Sequence, residues 1–187
     1  MLENVLVGQM DSSYFPVKLS ALGSEMGFNE ISQGKPLKVR DAEIQFQELD
    51  HPGGSLSFKL IYKDKTIVYA TDHELNNHYD ENGTLLNDST LGKEYTAFIK
   101  DADLLIADGQ YTSEEYKIKK GWGHTSVPAL LNVAQQAGVK QVAVYHHDPM
   151  HTDNMLDQLS SSYLKKFQDS EPRMEIFWAR EGLTLAI

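Results

Sequence analysis

Apolar and polar residues alternate with period two through "AEIQFQELDH", placing Ala42, Ile44 and Phe46 on one face of a half-buried strand that runs out at His51. The same alternation in "SLSFKLIYKDKTIVYATDHE" aligns Leu56, Phe58, Leu60 and Tyr62, turns at "KDK" and resumes in "TIVYA". This predicts a hairpin whose second arm runs out at Asp72. In "AFIKDADLLIADGQY" a helical stretch gives way to "LLIA", and "KQVAVYHHD" carries a similar run. Both are too short for helices and suit buried strands, which run out at Asp108 and His146.

Helical spacing accounts for most of the remainder. Leu2, Val5 and Leu6 in "MLENVLVGQ" predict a short opening helix, and the Pro and Gly punctuation of "SSYFPVKL" and "ISQGKPLKV" predicts irregular chain after it. The strongest helix is in "HTSVPALLNVAQQAG". Thr125 or Ser126 is its N-cap, Pro128 lies in its first turn, Val127, Leu130, Leu131, Ala134 and Ala137 share a face, and Gly138 ends it. "MLDQLSSSYLKKF" reads as a further helix, and "RMEIFWAREGLTLAI" as a closing hairpin turning at Arg180 to Gly182.

Strands alternating with helices indicate an α/β fold, and the absence of a linker or repeat treats residues 1–187 as a single domain. Four strands then end in a residue able to bind a ligand or move a proton: His51, Asp72, Asp108 and His146. In layered α/β folds, ligands gather at such ends because loops converge there over a rigid sheet. Imidazole with carboxylate suits zinc, manganese or iron, and ligands so far apart in sequence can meet only through tertiary folding.

The stretch from His146 to Asp153 holds three of the seven histidines. Beyond His146, its His147, Asp148, His151 and Asp153 read as a solvated loop, and so do His73 and His78 in "HELNNHYDENG". His124 in "GWGHTS" precedes the strongest helix, where unpaired N–H groups favour an anion such as phosphate. A histidine there can donate a proton or hold an oxyanion, with Asp108 fixing its tautomer; otherwise it is part of a helix-entry turn. Lys117, Lys119 and Lys120 add positive charge beside it or form a solvated face.

Composition narrows the partners. Seventeen Lys+Arg against 27 Asp+Glu give a net charge of −10, which opposes non-specific contact with nucleic acid or anionic lipid. Cysteine is absent, which removes disulfides and thiolate zinc clusters and fits a reducing cytoplasm. No apolar run approaches the roughly 18 residues of a membrane span, and the start has no basic targeting segment. A cytoplasmic location is expected.

"HPGGSLSFKL", "VYATDHE", "ADLLIADGQYTSEEY", "GWGHTS", "AGVKQVAVYHHDP" and "AREGLTLAI", in that order, resemble the second part of metallo-β-lactamase-fold hydrolases. The nearest branch contains endonucleases of the RNase Z type and class II cyclic-nucleotide phosphodiesterases. The resemblance implies an αββα sandwich, of which this chain supplies the second part. It implies metal ligation by His51, Asp72 and His146, with Asp72 bridging, and zinc as the first choice over manganese or iron. It implies that His124 assists phosphodiester cleavage with Asp108 as its partner, and that His147 and Asp148 support the ligands from behind.

The family's H-x-H-x-D-H signature does not occur in these 187 residues. The expectation is therefore an N-terminally truncated domain whose three ligand candidates, shared between two ions, fall below the four-coordinate preference of zinc, so that tight dinuclear binding needs ligands from another chain. It would act as a metal-dependent hydrolase of a small phosphodiester, a nucleotide rather than structured RNA, and would assemble as a homo-oligomer to cover its open sheet. The rival expectation is an inactive half-fold that serves as a dimerising or binding module.

Overall fold

The structure, a computed structural model, describes residues 2–28, 31, 34–167 and 173–187. The chain divides into two compact units, Met1–Ser32 and Gln33–Ile187. The first holds α1 (Leu2–Gln9) and one 3₁₀ turn at Leu19–Ala21, as the spacing and the Pro/Gly punctuation predict. No described side chain in this unit is buried, and Val5, Val7, Tyr14 and Phe15 are exposed.

The second unit is a seven-stranded mixed sheet in sequence order. Its strands are β1 (Leu37–Val39), β2 (Ala42–Leu49), β3 (Ser55–Tyr62), β4 (Lys65–Ala70), β5 (Leu104–Asp108), β6 (Gln141–Tyr145) and β7 (Glu175–Trp178). β1 to β4 pair antiparallel and β4 to β7 pair parallel. β2 therefore runs in the same direction as β4, β5 and β6. All four expected strand ends, at His51, Asp72, Asp108 and His146, lie along one edge of the sheet.

The helices are α2 (Thr90–Ile99), α3 (Ser113–Lys119), α4 (Val127–Gln136) and α5 (Asp153–Phe167), with a 3₁₀ turn at Leu75–Asn77. Val68 and Ala70, Leu105 and Ala107, and Val142 and Val144 project from one sheet face, where they pack with Tyr95, Ile99, Leu130, Leu131 and Val133 from α2 and α4. This is the core, and it holds the parallel strands rigid beneath the edge. On the other face, set by the register Phe46↔Phe58↔Tyr69, the aromatic residues Phe58, Tyr62, Tyr69 and Tyr145 are each about two-fifths exposed.

The expected closing hairpin does not form. β7 pairs parallel with β6, and after the turn at 181–182 the described residues 183–187 form no strand. The half-hydrophobic "GLTLAI" resembles a strand locally but finds no partner edge. Two further elements were not anticipated, β1 and α3. The second carries a legible signal, because Thr112 and Glu115 form a capping box: Thr112 Oγ1 accepts from Glu115 N–H and the Glu115 side chain accepts from Thr112 N–H.

Candidate metal and acid-base site

The edge is organised by the chain after β4. Asp50, just past β2, donates its N–H to His73 Nδ1 at 3.1 Å, and its carbonyl accepts Glu74 N–H at 2.7 Å. Its carboxylate accepts Asn77 Nδ2 at 2.9 Å and lies 3.1 Å from His78 Nε2. Residue 50 is thus enclosed by segment 73–78, which fixes the direction in which His51 leaves the strand.

His73 and His78 are therefore buried rather than at the surface, as the polar local sequence suggested. The neighbours that bury them come from elsewhere: His73 packs on the Tyr95 ring of α2, and His78 Nδ1 meets Ser89 Oγ. Burial first, and then the neighbouring His78, hold His73 far below an ordinary histidine, at about 3. It is neutral, and because Nδ1 accepts, its proton is on Nε2.

Asp72 and His146 follow β4 and β6, and both have φ of 58°. Left-handed backbone is uncommon for residues other than glycine, although Asp and His are among those that tolerate it. At these two positions it turns the chain sharply off the sheet edge and brings the side chains together. Asp72 Oδ1 lies 3.8 Å from His51 Nε2 and 3.5 Å from His146 Nε2.

His124 closes the group. Its ring stacks on His146 at 4.9 Å and meets His51 edge-on at 5.4 Å. Nδ1–H donates to Asp108 Oδ2 at 2.7 Å, which leaves Nε2 free for a ligand or a proton. Asp108 is almost fully buried and also accepts N–H groups from His73, Gln110 and Thr125. Its hydrogen bond raises the His124 pKa above the ordinary value, against the opposing effect of burial. The five residues singled out at the strand ends and helix entry are all within this one group.

The helix entry is held by the same segment that encloses Asp50. Ser126 is the N-cap of α4, yet its hydroxyl accepts Asn76 Nδ2 and its N–H donates to Asn76 Oδ1. Thr125 Oγ1 accepts Leu75 N–H and donates to His73 O. Gly123 has φ of 90°, and a Cβ there would lie 2.6 Å from Pro52 Cδ and 2.8 Å from His51 Nε2. Only glycine allows the loop this close to His51.

The loop after His146 is more ordered than its polarity suggested. Asp148 is buried and pairs with Lys119. The His151 side chain is buried rather than solvated, with Nε2 2.7 Å from Glu115 Oε1, and His147 Nε2 lies 3.0 Å from Ala179 O. These contacts staple the loop to α3 and to the chain after β7. Lys119 is consequently committed to Asp148 and Lys117 to Glu114 at 2.6 Å, so neither stands as free positive charge beside His124. Asp153 begins α5.

Among the described residues, ligand atoms of His51, Asp72 and His124 lie within 4.8 Å of one another. Ligand atoms about 2.0–2.1 Å from a tetrahedral zinc stand roughly 3.3 Å apart. The Asp72 separations of 3.8 and 3.5 Å are close to that spacing. Nitrogen and oxygen donors of this kind fit a divalent ion of the zinc, manganese or iron type.

No family model matches the chain. Among curated proteins it is similar to ribonuclease Z of Lactococcus lactis subsp. cremoris, 24% identical over 174 residues, a match covering 75% of this chain and 57% of that protein. Among solved structures it is similar to the metallo-β-lactamase fold protein YhfI from Bacillus subtilis, with TM-score 0.59 at 17% identity over 82% of this chain and 53% of that one. Human tRNase Z, short form, matches with TM-score 0.51 at 15% identity over 81% of this chain and 45% of that one. The chain spans about half the length of these relatives. These likenesses show that the chain has the metallo-β-lactamase fold, and that its sequence is similar to ribonuclease Z.

Proposed function

We propose that the chain contributes the metal-binding and proton-transfer half of a phosphodiesterase. The observation that carries this reading is the juxtaposition of Asp72, His51 and His146 with a His124–Asp108 pair. Asp72, His51 and His146 would hold the metal, with zinc the first choice. A divalent ion bound there supplies Lewis acidity, which activates water and neutralises phosphoryl charge. His124 gives the leaving oxygen its proton from Nε2, while Asp108 fixes its tautomer and favours the protonated ring. The curated relative is a ribonuclease Z, which supports a phosphodiester substrate. The net charge of −10 favours a small nucleotide over structured RNA.

The compact grouping of His51, Asp72 and His124 favours a second assignment, in which His124 is itself a ligand oriented by Asp108. Leaving-group dependence separates the two. His124→Ala is expected to slow hydrolysis of a dinucleoside monophosphate by about 10²–10⁴-fold, with metal content intact. Hydrolysis of bis(p-nitrophenyl) phosphate, whose leaving group needs no proton, should fall far less. Equal losses on both substrates together with loss of metal would assign His124 as a ligand.

The exposed aromatic sheet face supports a further element, association with a second copy of the chain. A binding module without turnover is the rival. It would bind metal and show no hydrolysis of either substrate.

A further inference from the structure

The mechanism above makes no use of one fully buried acid, Glu74, whose side chain is 2% exposed. A buried carboxylate is costly unless its oxygens are satisfied, so its partners show what it holds in place. Glu74 Oε1 accepts Gly121 N–H at 2.6 Å and the Tyr116 hydroxyl at 2.9 Å, and Oε2 accepts Gly123 N–H at 2.8 Å. Its three side-chain hydrogen bonds all come from neutral donors. Charge-assisted bonds of this kind are the strong ones, and two of them grip alternate amides of the loop that delivers His124.

Apart from Glu74, residues 121–123 are held by one backbone bond, Trp122 N–H to Lys119 O at 3.2 Å, and by the close packing of Gly123 on His51 and Pro52. Gly121 and Gly123 have φ of 87° and 90°, conformations that glycine alone adopts freely. Trp122, between them, is 63% exposed, so the loop is not anchored by burying its one large apolar side chain. Glu74 is also two residues from Asp72, and its N–H donates to Asp50 O beside His51. One residue thereby joins the segments carrying His51, Asp72 and His124.

We propose that Glu74 is a positioning residue for His124, its carboxylate pinning residues 121–123 so that the imidazole is presented at a fixed place beside Asp72 and His51. This deepens the phosphodiesterase reading and rests on it for any effect on turnover. The pinning itself can be observed without turnover.

The test uses the full chain with Glu74→Gln, which keeps the shape but sets an amide donor against the loop amides. Hydrogen exchange by NMR should quicken at least tenfold at Gly121 and Gly123, with Leu130 and Leu131 in α4 unchanged. Turnover of a dinucleoside monophosphate with added Mn²⁺ should fall about 10–100-fold, the range for groups that orient a site from behind, in kcat rather than KM. Adding Glu74→Gln to His124→Ala should cost no further rate, because residues acting as one unit are non-additive.

Unchanged exchange at both glycines would overturn the proposal. So would a full additional loss in the double variant, which would place the effect of Glu74 elsewhere. If Glu74→Gln does not fold, Tyr116→Phe decides: faster exchange confined to residues 121–124 supports the pin, and unchanged exchange rejects it. Absence of turnover in the unsubstituted protein with quickened exchange in the variant would sink the phosphodiesterase reading and leave the pin standing.

Discussion

At the scale of single residues, the site joins two histidines whose proton affinities move in opposite directions. His73 titrates at about 3 when folded, against 6.5 for an ordinary histidine. Between those values the unfolded chain holds more protons, so folding stability falls as pH drops through about 6.5, by up to about 1.4 kcal/mol per unit. His124 is shifted upward by Asp108, so its contribution is complete below the ordinary histidine value and disappears as pH rises through its folded pKa. Urea unfolding of metal-free protein between pH 7 and about 5, above most carboxylate titration, reads the sum of the two opposed effects, and the difference from a His73 variant isolates the first. His73→Asn keeps an acceptor for Asp50 N–H and should flatten the loss of stability; a slope equal to that of the unsubstituted protein would show that His73 is not buried neutral. His51, Asp72, Asp108, His124 and His146 were legible because each ends a strand or enters a helix. Glu74, His73 and His78 were not, since what buries them comes from α2 and the helix entry rather than from their polar neighbours in sequence.

At the scale of elements, the period-two and helical patterns located β2 to β6, α4 and α5; the apolar residues of β4 to β6 and α4 lie on the core, whereas the alternating residues of β2 and β3, Phe46 with Phe58, lie on the opposite, aromatic face. The parallel pairing of β7 was not legible: it depends on β6 offering a free edge, and a short apolar run does not encode its partner. α3 could have been read from Thr112 and Glu115, a local signal independent of burial. A close approach between elements is at Gly123, where the α4 entry crosses the end of β2 at positive φ. Gly123→Ala should therefore lower stability by about 1–3 kcal/mol through backbone strain and contact with His51 and Pro52, read as a shift in the urea midpoint. A midpoint within error of the unsubstituted protein would mean that the crossing is looser than described.

At the scale of the whole molecule, about half of the relatives' length is matched, and one sheet face presents Phe58, Tyr62, Tyr69 and Tyr145. Single exposed apolar residues need no explanation, and the proposed association rests on these four sharing one face. Sedimentation is expected to give a mass above the 21.1 kDa of one chain, reduced to it by Tyr69→Lys; a monomer at micromolar concentration would contradict the association. The account's central claim is that the edge residues bind a divalent ion, and metal content after dialysis against metal-free buffer, read by elemental mass spectrometry, tests it most directly. Near-stoichiometric zinc, manganese or iron is predicted for the unsubstituted protein and for His124→Ala, with loss in Asp72→Asn. An unsubstituted protein free of metal after incubation with each of the three ions would contradict the claim.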